Sequence, residues 1–91
     1  MYITTNQSMT VLYTGVTNHL TKRIKEHREG TGGKQGFAHK FRCYHLVYFE
    51  RHQYIQHAIM REKEIKGWSK MIKVKLIEQF NPNWDFLEDT I

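Results

Sequence analysis

Two tyrosines stand near the start of the chain, Tyr2 in Met-Tyr-Ile and Tyr13 in Tyr-Thr-Gly. A phenol titrates at about 10, so it serves as a base only where a cation or metal lowers that value. Suitably placed, it takes a proton from water or hydrogen-bonds a phosphate oxygen. The plainer alternative is a pair of strand tyrosines that pack their rings and leave their hydroxyls at the edge. Arg23 and His27 lie four residues apart, on one side of any helix that contains them. A planar guanidinium matches phosphate oxygens, and an imidazole beside it can donate or move a proton. A cation held where negative charge develops lowers the barrier to phosphodiester cleavage. An exposed helix face of ordinary basic residues is the alternative there. Glu62, four residues after Ala58, is a carboxylate on a side of small and apolar residues. Turned inward, it needs a partner, and Mg²⁺ accepts one carboxylate plus waters and phosphate oxygens. A salt bridge to Lys66 or Arg61 is the competing partner, and Glu64, two positions on, points elsewhere.

Short elements must position these groups. Residues 1–5 and 10–14 are rich in β-branched and aromatic side chains, with Asn6, Gln7 and Ser8 between them, which predicts a β-hairpin ended by Gly15. Thr17 or Asn18 can cap a helix that continues through about Glu29 and stops at Gly30. Leu20 and Ile24 define its buried stripe. Residues 30–36 hold four of the six glycines and predict a flexible loop. Residues 44–50 predict a third strand, apolar enough to be central and buried on both faces. A second helix fits residues 53–66 along a face of Ile55, Ala58, Ile59 and Glu62. A third fits residues 69–80 through Ile72, Leu76, Ile77 and Phe80, ended by Asn81 and Pro82. Trp84, Phe86 and Leu87 are expected to fold back as an apolar clasp. The order predicts an α/β (α+β) fold: a small three-stranded antiparallel sheet flanked by helices.

The 91 residues have the length of one small domain. With 40% hydrophobic and 13% aromatic residues, they can build a thin core, which argues against disorder. The longest apolar run, Leu46 to Phe49, is far too short for a membrane helix, and no charged-then-apolar opening marks a secretory leader. The lone cysteine, Cys43, reads as a core thiol and fits a reducing, cytoplasmic setting. Charge is more telling. Residues 22–42 hold seven cations and two anions, residues 61–75 six and two, and residues 76–91 four anions with no Lys or Arg. A basic body with an acidic tail, formally +5 in all, suits a polyanionic partner such as nucleic acid. A solvated surface of lysine-rich helices is the alternative. Zinc is poorly supported, because the cysteine and six histidines form neither CxxC nor His-x₃-His. A P-loop is excluded, since Lys34 is followed by Gln35.

In this order the segments resemble the GIY-YIG endonuclease family, in particular its small stand-alone bacterial members. The likeness covers nearly the whole chain. Met1-Tyr2-Ile3 stands at the first tripeptide and Tyr13-Thr14-Gly15 at the second, with ten residues between the tyrosines. The most specific part is LYTGVTN at 12–18 followed by LTKRIKEH at 20–27, with its Arg-x₃-His. LVYFE at 46–50, AIMREKEIKGW at 58–68 and NPNW at 81–84 follow in register. Thr14 replaces the family's Ile, and Met1 stands where the family has Gly, so the first strand is expected to be truncated and Tyr2 loosely held. Phe41 stands where subgroup members often have Tyr, and His39 is left open as an additional donor.

The resemblance implies that Tyr2 and Tyr13 are active-site phenols, one of which helps deprotonate the attacking water. It implies that Arg23 stabilises the pentacovalent phosphorus and that His27 assists proton transfer or holds a phenol. Glu62 would be the sole protein ligand of one Mg²⁺ or Mn²⁺ ion, and the family's late asparagine maps to Asn81, with Asn83 as runner-up. Tyr2, Tyr13, Arg23, His27 and Glu62 should then line one concave, positive patch, with Glu62 facing Arg23. Lys22, Lys25, Arg28, Lys40 and Arg42 would track phosphates without reading bases. The implied protein is a cytoplasmic, divalent-metal-dependent DNA endonuclease, structure-dependent or weakly sequence-selective, in DNA repair or recombination. It would be a monomer or weak dimer, away from membranes, with DNA and a targeting protein as partners. Two competing expectations are a catalytically silent nucleic-acid-binding module and a protein-interaction domain using the acidic tail with Trp68 and Trp84.

Overall fold

The computed structural model describes residues 1–29 and 42–91, except for the side chains of residues 27–29. Strands β1 (Tyr2–Thr5) and β2 (Leu12–Gly15) form the expected hairpin, with Tyr2 opposite Gly15 and Thr5 opposite Leu12. Asn6 builds the turn: its Oδ1 accepts from the backbone N–H groups of Thr10 and Val11 at 2.8 and 3.1 Å. Helix α1 (Leu20–Glu29) follows Thr17, whose hydroxyl accepts from the His19 N–H at 3.1 Å. Strand β3 (His45–Phe49) returns to β1, and helices α2 (Ile55–Lys66) and α3 (Lys70–Phe80) complete the order. Ser69 caps α3 by accepting from the Ile72 N–H. The expected loop at 30–36 lies outside the described residues.

The antiparallel sheet has the order β2-β1-β3, so β1 is central and β3 is not. The apolar character of β3 has another cause. Its outer edge is covered by the C-terminal segment: the Leu46 carbonyl accepts from the Leu87 N–H at 2.7 Å, and the Leu46 N–H donates to Glu88 Oε1 at 2.9 Å. Trp84, Phe86 and Leu87 pack against the core, so the expected clasp forms and stands in for a fourth strand.

Alternation along the strands divides the core into two layers. On one face Tyr2 and Leu46 meet Ile24 of α1, with Leu20, Tyr13 and Phe49 around them. On the other face Ile3, Val47 and Tyr48 meet Ile65 of α2 and Ile77 of α3. Adjacent Val47 and Tyr48 both enter this second layer because a bulge shifts the β1–β3 register after Ile3. Cys43 is the buried core thiol expected, and burial pushes its pKa up to about 11. No described helix is long and apolar enough to cross a membrane. The consequence for function is that α1 and α2 cover opposite faces of the sheet, with β2 as the edge strand left open by the described residues.

Candidate active site

Tyr2 and Tyr13 share a face because Tyr13 lies opposite Thr4, two residues along the strand from Tyr2. Their ring centroids are 6.2 Å apart and the planes are inclined at 48°. Gly15, across from Tyr2, makes this arrangement possible. A Cβ there would sit 2.5 Å from Tyr2 Oη and 3.0 Å from Tyr13 Cε1, so the phenol lies where only bare backbone admits it. The expectation of a loosely held Tyr2 is overturned, for the residue is only 2% exposed. The strand is short but anchored at its start: the Met1 amine donates to the Glu50 carbonyl at 3.1 Å, and the Met1 carbonyl accepts from the Glu50 N–H at 2.8 Å.

Burial pushes the Tyr2 phenol well above its ordinary pKa, and the neighbouring Tyr13 phenol pushes the same way. The Arg23 guanidinium opposes them, while a hydrogen bond with Tyr13 and the Glu26 carboxylate add to the rise. Tyr2 is thus held protonated beside Tyr13 and Arg23. Arg23 reaches this position because Ile24 seats α1 on Tyr2 and Leu46. Glu26 has no signal in the sequence beyond its i,i+3 spacing from Arg23. With Thr17, Asn18, His19 and Lys22, these two line a depression of about 120 Å³. His27 belongs to α1 one turn beyond Arg23, but its side chain and that of Arg28 lie outside the described residues, as do His39, Lys40 and Phe41.

Glu62 comes from the other layer. In α2 it lies between Ala58 and Ile65, which like it are buried. Its Oε1 meets Lys66 Nζ at 2.6 Å, so the inward carboxylate and its competing salt bridge are both present. Arg61 is engaged elsewhere, by Glu50 at 3.1 Å and by Glu64. Lys66 and Lys73 line a depression of about 280 Å³ together with Leu12, Tyr13 and Thr14, consecutive residues of the open-edge strand. The groups come from both layers that flank the sheet. Tyr2, Tyr13 and Arg23 gather on the α1 face, Glu62 belongs to the helix on the opposite face, and Tyr13 borders both regions. One buried carboxylate with a displaceable ammonium suits a hard divalent ion that completes its shell with water and phosphate oxygens. Among the described residues no three His, Cys, Asp or Glu gather to hold an ion by themselves.

Asn81 stands apart from this arrangement. Its Nδ2 donates to the carbonyls of Val47 and Asp85 at 3.1 and 2.9 Å, and its Oδ1 accepts from the Asp85 N–H at 3.0 Å. Both amide hydrogens hold the clasp to β3, at the opposite edge of the sheet from β2. Asn83 is exposed. Lys22 and Lys25 project from α1 into solvent. Arg42, exposed and with φ at 55°, borders the Asn6–Ser8 turn with Tyr44 and His45, and the structure does not group it with those lysines.

A family model described as the GIY-YIG catalytic domain matches residues 1–76. The chain belongs to the GIY-YIG family. It is similar to the UPF0213 proteins of Staphylococcus aureus strains Mu3, Mu50 and N315, at 35% identity over 68 residues, covering 75% of this chain and 80% of theirs. Those relatives form a small stand-alone bacterial GIY-YIG group. No solved structure matches. The GIY-YIG span contains both tyrosines, Gly15, Arg23, Glu62, Lys66 and Lys73, whereas Asn81 lies beyond it.

Proposed function

We propose that this GIY-YIG protein is a DNA endonuclease that hydrolyses phosphodiester bonds with one Mg²⁺ or Mn²⁺ ion and little base selectivity, as one domain over its 91 residues. The observation that carries the reading is the meeting of two phenols and Arg23 beside Gly15, with a buried acid, Glu62, on the helix that packs against the same strand. Tyr2, kept protonated by burial, acts as a donor. Tyr13 is less buried than Tyr2 and borders the depression beside Lys66, on the side of Glu62, so Tyr13 is the base that takes the proton of the attacking water. Arg23 meets the equatorial phosphate oxygens as charge builds on them. His27, one turn along α1, assists proton transfer. A divalent ion held by Glu62 would stabilise charge at the leaving oxygen. Lys22, Lys25, Arg28, Lys40 and Arg42 supply phosphate contacts, and a targeting protein directs the enzyme to branched or damaged DNA in repair or recombination. Asn81 is assigned to the fold rather than to the chemistry.

The test is cleavage of nicked, branched, single-stranded and double-stranded DNA with Mg²⁺ or Mn²⁺ present. The wild type should cut at least one of these only with metal. Arg23→Ala and Glu62→Ala should each lower the rate by about 10²–10³, the scale of a lost electrostatic stabiliser. Tyr13→Phe should cost more than Tyr2→Phe. Failure to cut any substrate, or equal cutting by the variants, defeats the reading.

A further inference from the structure

We propose that Lys66 is a built-in counter-ion that occupies Glu62 until a divalent ion displaces it, and that the released ammonium joins Lys73 in holding a DNA phosphate beside Tyr13. Metal and DNA then bind cooperatively. The inference rests on the reading of Glu62 as the metal ligand.

The geometry makes the two cations rivals. Lys66 Nζ stands 2.6 Å from Glu62 Oε1, and a Mg²⁺ ion would need to approach a carboxylate oxygen to about 2.1 Å. An ammonium and a dication cannot both hold that oxygen at such range without strong repulsion. Exposure decides which partner moves: the Glu62 side chain is 10% exposed and the Lys66 side chain 54%. The carboxylate is therefore fixed and the lysine can swing on its long stem. An unpaired carboxylate in this position is costly, so one cation or the other has to be present. Lys66 also has somewhere to go. It already lines the depression at the β2 edge, where Lys73 stands without an ion pair among the described residues. Once the carboxylate is neutralised by metal, two ammonium groups face one depression bordered by Tyr13. That arrangement suits a phosphate, whose oxygens can accept from both ammonium groups. By linkage, a phosphate that draws Lys66 from Glu62 raises metal affinity by the factor by which metal raises DNA affinity.

The experiment measures Mn²⁺ affinity of the full chain by electron paramagnetic resonance without DNA. Affinity for a cleavage-resistant phosphorothioate duplex is measured by fluorescence anisotropy with and without Mn²⁺. Lys66→Met should bind Mn²⁺ about fivefold more tightly than wild type, the scale of a half-exposed ion pair. Lys73→Met, which removes a nearby charge but no ion pair, should change it less than twofold. The Mn²⁺-dependent gain in duplex affinity should be smaller in Lys66→Met than in wild type, because only the lysine's share is removed, and absent in Glu62→Gln. Unchanged or weaker Mn²⁺ binding by Lys66→Met overturns the inference while leaving Glu62 as a ligand. Full Mn²⁺ affinity in Glu62→Gln overturns the ligand reading itself. Lys66→Gln replaces Lys66→Met if circular dichroism shows that the latter fails to fold.

Discussion

At position 15 a methyl group would meet the Tyr2 hydroxyl oxygen at 2.5 Å and Cζ at 2.6 Å, closer than non-bonded atoms approach. Gly15→Ala must therefore push the phenol off the β2 backbone or part the two strands. The ring cannot move freely, because it is packed against Ile24 and Leu46. The substitution should cost about 1–3 kcal/mol, as overpacking does, read as a lower urea midpoint with an unchanged slope. It should also lower cleavage more than Tyr2→Phe, since it disturbs both phenols. An unchanged midpoint would show that the ring does not rest on that backbone. The glycine is legible in the sequence as a strand end. Its real requirement depends on a tyrosine thirteen residues earlier in the chain and directly across the pairing register. Thr14 is legible only as a β-branched residue, yet its hydroxyl is buried with no hydrogen-bond partner among the described residues.

Elements with a strong local pattern were readable, and those fixed by tertiary contacts were not. Turn formers and apolar spacing place the six described helices and strands within two residues of where they occur. The apolar run of β3 does not say whether its far edge is covered by a strand or by a tail, and here polar side chains of the tail do the covering. Glu88 receives the Leu46 N–H and sits 2.6 Å from His45 Nδ1, while the His45 ring stacks on Phe86 at 3.9 Å. Nothing in an acidic C-terminal stretch foretells such contacts. Likewise, the Glu62–Lys66 pair is legible from i,i+4 spacing, but its position beside Tyr13 depends on how α2 crosses the sheet. Asn81 tests the tail as an element. Asn81→Ala removes three hydrogen bonds and leaves the Val47 carbonyl without its donor, so stability should fall by about 2–3 kcal/mol. The single-turnover cleavage rate per folded molecule should change less than threefold. A large loss of rate at full stability would return Asn81 to the chemistry.

A molecule with a radius of gyration of 12.1 Å has a small core, so a few ionisable groups set how its stability varies with pH. On the acid side the group is Glu50. Burial opposes its charge, yet hydrogen bonds from Tyr48, Arg61 and His52, with the Arg61 charge, hold its pKa below the usual range. Its contribution is complete above the ordinary carboxylate pKa of about 4.3 and is lost as pH falls through the lower folded value. On the alkaline side burial raises Tyr2, lifts Tyr48 to about 12 and lifts Cys43 to about 11. Unfolded thiols and phenols ionise at about 8.5 and 10, so between those values and the folded ones the unfolded chain releases protons that the native chain keeps. Stability must fall as pH rises through that interval. The expected profile rises out of the acid fall, climbs gently to about pH 8 because burial lowers the Met1 amine, and falls on the alkaline side. Tyr2→Phe removes one source of the alkaline fall and should lose less stability than wild type between pH 8 and 10.5. Urea midpoints at those two pH values decide the matter: an equal decline in both proteins would mean that the Tyr2 phenol ionises as readily in the native molecule as in the unfolded chain, and its role as a permanently protonated donor to Tyr13 would fall with it.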